Sequence, residues 1–244
     1  MFEKILEMGK SIHIFYEDEL YKIVQFSDHM NDLKVINFDK VKEILCSAKI
    51  SNKIQDQTNE NVNHSTKSGK ISFKQQKSCD AIKFIEDSER IDFIEGKRFT
   101  EFMDRTTEST VKEEEEKQQI EKLELQKKII DSLSIFNSLI YIEQLNLSKE
   151  EITCMEESEK LFILLLEFGN FDFVISKNEK KIMDGTSEIG KFRNKTIFIT
   201  AQKRYERFFS LIENELKKCN LGFFCGYKIL NSKQISELYG VSIK

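Results

Sequence analysis

Residues 78–99 read SCDAIKFIEDSERIDFIEGKRF, and how this stretch pairs with itself decides the rest of the chain. SCDAIKFI and RIDFIEGKRF are both strand-like, rich in Ile and Phe, and the polar EDSE between them marks a hairpin turn near Asp87 and Ser88. If Glu86 faces Glu89, paired residue numbers sum to 175, and Asp80 lies directly opposite Glu95. Their side chains then share one face, with Cβ atoms about 4.5–5.5 Å apart. Lys97, two positions beyond Glu95, projects to the same face by strand alternation.

Two carboxylates held this close repel each other, so the arrangement needs compensation. A divalent cation supplies it: Asp80, Glu95 and the backbone carbonyl of Gly96 offer hard oxygen ligands to Mg²⁺ or Mn²⁺. Lys97 would then stand beside a metal-bound water, placed to orient it, lower its pKa or stabilise charge developing on a phosphate. The competing structural reading is a hairpin with one charged, solvated face.

The pattern resembles the PD-(D/E)XK nuclease superfamily, whose core places an Asp at the start of one strand and an acid-x-Lys triplet on the next. Here Asp80 and Glu95-Gly96-Lys97 match, while Cys79 stands where the family name has proline. The resemblance implies a restriction-endonuclease-like α/β (α+β) fold, a mixed central sheet flanked by helices. It also implies metal-dependent hydrolysis of DNA phosphodiester bonds by water attacking in line. Its core would span roughly residues 10–100 together with strands and helices of the C-terminal third. Members often add an acid from the helix before the hairpin, which makes Glu43 in VKEILC a further metal-ligand candidate. Gln202, Lys203, Arg204 and Arg207 in ITAQKRYERFF fall at or just after an expected strand end, and are expected either to contact substrate phosphates or to form a solvated helix face.

Outward from the hairpin, residues 11–38 alternate apolar and polar positions as short strands do, and FDKVKEILCSAKI follows as a short helix with Asp39 as its N-cap. Residues 51–69 have the Asn-, Ser- and Thr-rich composition of a loop. From about 109 to 145 the residues favour one long helix, with Thr110 and Glu113 resembling a capping box and Glu113–Glu116 a solvated first turn. Its apolar Ile129, Ile130, Leu133, Phe136 and Leu139 serve either packing on the sheet or a partner or dimer surface. Further on, EKLFILLLEFGNFDFVISKNEKK reads as a buried strand or strand pair, KTIFIT as a short strand, and AQKRYERFFSLIENELKKCN as an amphipathic helix.

The chain is 244 residues long and is read as one domain: core hairpin 77–99, helical insertion about 105–155, C-terminal strands and helix 160–244. A net charge of −4 excludes a protein that coats nucleic acid through overall charge alone. Five scattered cysteines without a CxxC pair fit free thiols in a reducing cytoplasm rather than a disulfide framework or zinc site. No apolar run is long enough to span a bilayer, and no Walker-type phosphate loop is present. His13, His29 and His64 lie far apart and form no motif. The absence of proline and the abundance of Lys, Ile, Glu, Asn and Phe fit an AT-rich bacterial or phage-like genome. The resemblance implies a Mg²⁺-dependent endonuclease acting on DNA, and the composition and size lead to the expectation that it is cytoplasmic and serves anti-phage defence. It would work with a protein partner that supplies sensing or DNA loading, and self-association is also open. The alternative is a non-enzymatic adaptor whose acidic hairpin binds no metal.

Overall fold

The computed structural model describes Lys4 and residues 35–47, 75–99, 113–142, 145–167, 172–175, 180–183, 195–219 and 221–240. Strand β1 (Ile36–Asn37) runs straight into helix α1 (Phe38–Ser47). Strands β2 (Ala81–Ile85) and β3 (Arg90–Arg98) form the expected hairpin. Helices α2 (Glu113–Glu121), α3 (Leu125–Ser138) and α4 (Lys149–Glu157) lead to strand β4 (Glu159–Glu167). Strands β5 (Asp172–Ile175) and β6 (Lys180–Met183) make a separate antiparallel pair. Helix α5 (Lys195–Lys218), strand β7 (Gly226–Leu230) and helix α6 (Ser232–Leu238) complete the order.

The fold is mixed α/β, a five-stranded sheet of order β1-β2-β3-β4-β7 flanked by helices. β1, β2 and β3 are antiparallel neighbours, whereas β3, β4 and β7 run parallel. The hairpin register is the one read from the sequence: Ala81 pairs with Ile94 and Ile85 with Arg90. A 3₁₀ turn over Glu86–Ser88 and a left-handed Glu89 at φ 46° close it. β4 lies between β3 and β7 and is buried along Leu161–Leu166, as a strand covered on both faces must be.

Alternation sorts the sheet's side chains into two cores. Ile82, Ile91, Phe93, Phe162, Leu164, Leu166 and Ile229 join the larger one, together with residues of α1, α3 and α5. Phe93 sits at its centre, with ring centroids 6.0 Å from Phe38, 5.5 Å from Phe136 and 5.4 Å from Phe224 in edge-on contacts. On the opposite face Ala81, Ile94, Ile163 and Leu165 pack with Ile235 of α6. There the fully buried Asp92 takes two bonds from Arg90, at 2.7 and 3.0 Å, and a third from the Tyr239 hydroxyl at 2.8 Å. Three charge-assisted bonds answer a charge that burial would otherwise make costly.

Four sequence readings are corrected. The cap of α1 is Asn37, whose Oδ1 accepts from Lys40 N–H at 3.2 Å; Asp39 lies inside the helix and accepts from the Ser78 hydroxyl instead. The helix expected over 109–145 is broken between α2 and α3, where Glu124 adopts φ 48°. Leu123 and Leu125 are both buried, and an unbroken helix would turn one of them some 160° from the other's direction. Within the acidic run Glu113, Glu114 and Glu115 are exposed, but Glu116 is buried. KTIFIT is the first part of α5 rather than a strand: its β-branched and aromatic residues favour a strand locally, and the helix that continues through Lys218 overrides that preference. The Ile129, Phe136 and Leu139 stripe packs on the sheet, leaving Ile130 exposed. Residues 11–34, 51–69, Thr110 and the three histidines lie outside the described residues.

The Asp92 cluster yields a stability prediction. Asp92→Ala should cost about 3–5 kcal/mol because Arg90 loses its buried partner, whereas Tyr239→Phe should cost about 1 kcal/mol. Urea unfolding of both variants checks this. An Asp92→Ala loss no larger than that of Tyr239→Phe contradicts the assignment.

Candidate active site

Asp80 is fixed by its backbone on both sides of the hairpin entry. Its carbonyl accepts from Phe38 N–H, the first helical residue of α1, at 3.0 Å. Just upstream, Cys79 N–H donates to Ser132 Oγ and Lys77 N–H to Asp131 Oδ2, both at 2.7 Å and both from α3. The Asp80 side chain turns back onto the next strand, where its Oδ2 accepts from Gly96 N–H at 2.7 Å. Asp80 is one residue and Gly96 two residues beyond the last β2–β3 ladder pair, Ala81 with Ile94, so the carboxylate takes up a strand N–H that β2 no longer reaches.

Glu95 is fully buried, on the same sheet face as Phe93. Its Oε1 receives two ammonium groups, Lys97 Nζ at 2.7 Å and Lys128 Nζ at 2.5 Å. Its Oε2 is buried and has no hydrogen-bond partner among the described residues. Burial and the neighbouring Asp80 carboxylate push the Glu95 pKa up, against the opposing pull of Lys128 and Lys97. For Lys97, burial pulls downward, but Glu95 and Asp80 outweigh it and hold the ammonium above its usual range. Lys97 therefore stays protonated at neutral pH and acts through its charge and its N–H groups, not as a base.

The structure thus brings together Asp80, Glu95, Gly96 and Lys97 as the sequence reading expects, and adds Lys128. No local motif announces Lys128, because it comes from a helix 33 residues downstream of Glu95 and the contact is set by how α3 lies on the sheet. The only advance signal is its place one residue before the buried Ile129. Glu43 is not brought to the cluster. It is exposed on α1 with Lys40 Nζ 3.5 Å away, because two helical steps from the buried Val41 point to the opposite side. Gln202, Lys203, Arg204 and Arg207 lie within α5 and not at a strand end. Arg207 bonds Glu116 through two nitrogens, each at 2.8 Å, which explains why that glutamate can be buried. The side chains of the other three lie outside the described residues.

Hard oxygens are the only acidic ligands here: among the described residues no group of three or more His, Cys, Asp or Glu side chains converges. Two carboxylates, with one bare buried oxygen on Glu95 and Asp80 Oδ1 left over from the Gly96 bond, suit an ion that keeps most of its waters. The adjacent Cys79 adds nothing to such a set, since burial raises its thiol pKa far above the ordinary value. No helix among the described residues is long and apolar enough to cross a membrane. No family model, curated protein or solved structure matches the chain.

The thiols provide a check on this packing. Cys46, Cys154 and Cys225 are exposed, whereas Cys79 and Cys219 are buried, with Cys219 pushed up to about 11 by burial. Titration of the folded protein with a disulfide reagent at pH 8 should modify three thiols, and all five after denaturation. Rapid reaction of Cys79 in the folded state contradicts the closed hairpin entry.

Proposed function

We propose that the chain is a metal-dependent nuclease of the PD-(D/E)XK type, with a restriction-endonuclease-like fold, hydrolysing phosphodiester bonds of DNA. The observation that carries the reading is the Glu95 carboxylate: buried, facing Asp80 across the hairpin, with a protonated lysine on one oxygen and nothing on the other. A buried carboxylate oxygen without a donor is costly, and a hard cation is the ligand that best relieves it. Asp80, Glu95 and the Gly96 carbonyl would hold Mg²⁺ or Mn²⁺. Bound there, the ion would supply Lewis acidity and a water of lowered pKa.

The chain's own groups do the positioning. Asp80 is tied to Gly96 N–H and to α1, so the two carboxylates keep a fixed separation. Lys97, partly exposed at the end of β3, presents a positive charge toward solvent and toward an arriving phosphate. Its fixed charge would stabilise negative charge gathering on the phosphate oxygens, with little reorganisation during the reaction. α3 closes over Glu95 and keeps bulk water from that side. Arg207 is already engaged by Glu116 through two nitrogens. A role in anti-phage defence with a protein partner extends the proposal, and rests on composition rather than on the site.

One observation favours the adaptor reading: Lys97 and Lys128 balance Asp80 and Glu95 charge for charge without any metal. The two readings separate on plasmid, linear duplex, single-stranded DNA and RNA incubated with Mg²⁺, Mn²⁺ or chelator. The nuclease should cut in either metal and stop with chelator. Glu95→Ala and Asp80→Asn should abolish cutting, and Lys97→Ala should lower its rate by about 10²–10³-fold while the fold is kept. Undiminished cutting by Lys97→Ala sinks the mechanism. An adaptor would cut nothing and would tolerate alanine at both acids.

A further inference from the structure

The cluster contains one more cation than the Glu95-Gly96-Lys97 triplet supplies, and its placement is specific. Lys128 Nζ and Lys97 Nζ both bond Glu95 Oε1, at 2.5 and 2.7 Å, while Oε2 has no partner among the described residues. Two ammoniums on one oxygen repel each other and gain only from the acids they share. Lys128 is held there by its helix rather than by its own side chain's freedom. α3 is stitched to the hairpin entry through Asp131, Ser132 and Ser134, which accept from Lys77 N–H, Cys79 N–H and the Gln76 amide. The Lys128 side chain is 14 % exposed, against 30 % for Lys97.

We propose that Lys128 is a positioning residue that holds the metal's place: it orients Glu95 through Oε1, and it competes with the divalent cation for that carboxylate. The proposal rests on the nuclease reading above and adds a control on metal entry. With both lysines the four side chains of the cluster carry no net charge, and an added divalent ion makes the site +2, matched to a phosphate and an attacking hydroxide. Without Lys128 the cluster is −1, which favours the cation and leaves a less positive site for the phosphate. Lys128 therefore weakens metal binding, a direction opposite to what loss of a merely structural contact would produce.

Calorimetric titration of Mn²⁺ into the full chain tests this with no reference to cleavage. Lys128→Met should bind Mn²⁺ about tenfold or more tightly than wild type, as expected for removal of a neighbouring like charge. Lys128→Arg should restore the wild-type affinity, and Glu95→Ala should abolish binding in either background. Lys128→Gln serves as the second neutral variant if Lys128→Met does not fold. Binding by wild type that is unchanged or weaker in the neutral variants overturns the role of Lys128 and leaves the nuclease reading intact. Absence of binding in wild type with binding in the neutral variants supports the place-holding role. Absence of binding in all of them overturns both.

Discussion

Glu95 is the constraint on which the arrangement turns. A carboxylate with no exposed surface persists in a core only if its charge is answered at contact distance. The answer comes from two directions: Lys97 from the same strand, and Lys128 from a helix packed over it. Lys128 reaches Glu95 because of where α3 lies, and the same helix holds the hairpin entry through Asp131 and Ser132. Asp80 is thereby aligned, and its bond to Gly96 N–H locks the two strands where their ladder ends.

Asp92 lies three positions before Glu95 on β3. Asp92 is equally buried, but Arg90 and Tyr239 occupy both of its oxygens, so it is complete as it stands. Lys160 is similarly complete, its ammonium donating to the carbonyls of Met155, Glu156 and Ser158 at the end of α4. Glu95 alone among these buried charged groups keeps a bare atom. Asp92 and Lys160 satisfy all their polar atoms, whereas Glu95 keeps one buried oxygen open beside two ammonium groups.

The sequence revealed this region unevenly, for physical reasons. The hairpin was legible because its register follows from a short turn and period-two alternation, both local. β4 was legible from its continuous apolar run, and the C-terminal part of α5 from apolar residues at helical spacing. Lys128 and the Glu116–Arg207 pair were not, since their partners lie 33 and 91 residues away. The break at Glu124 and the helical state of KTIFIT show tertiary packing overriding local preference. β7 and α6 escaped separate assignment although GYKIL and the Asn231–Gln234 capping box carried local signals for them.

The charge balance of the cluster makes the metal the deciding question. Crystals soaked in Mn²⁺ and measured at a wavelength where manganese scatters anomalously would locate the ion directly. A peak is expected between Asp80 and Glu95, within about 2–2.5 Å of a carboxylate oxygen of each. A map without that peak would contradict the metal site.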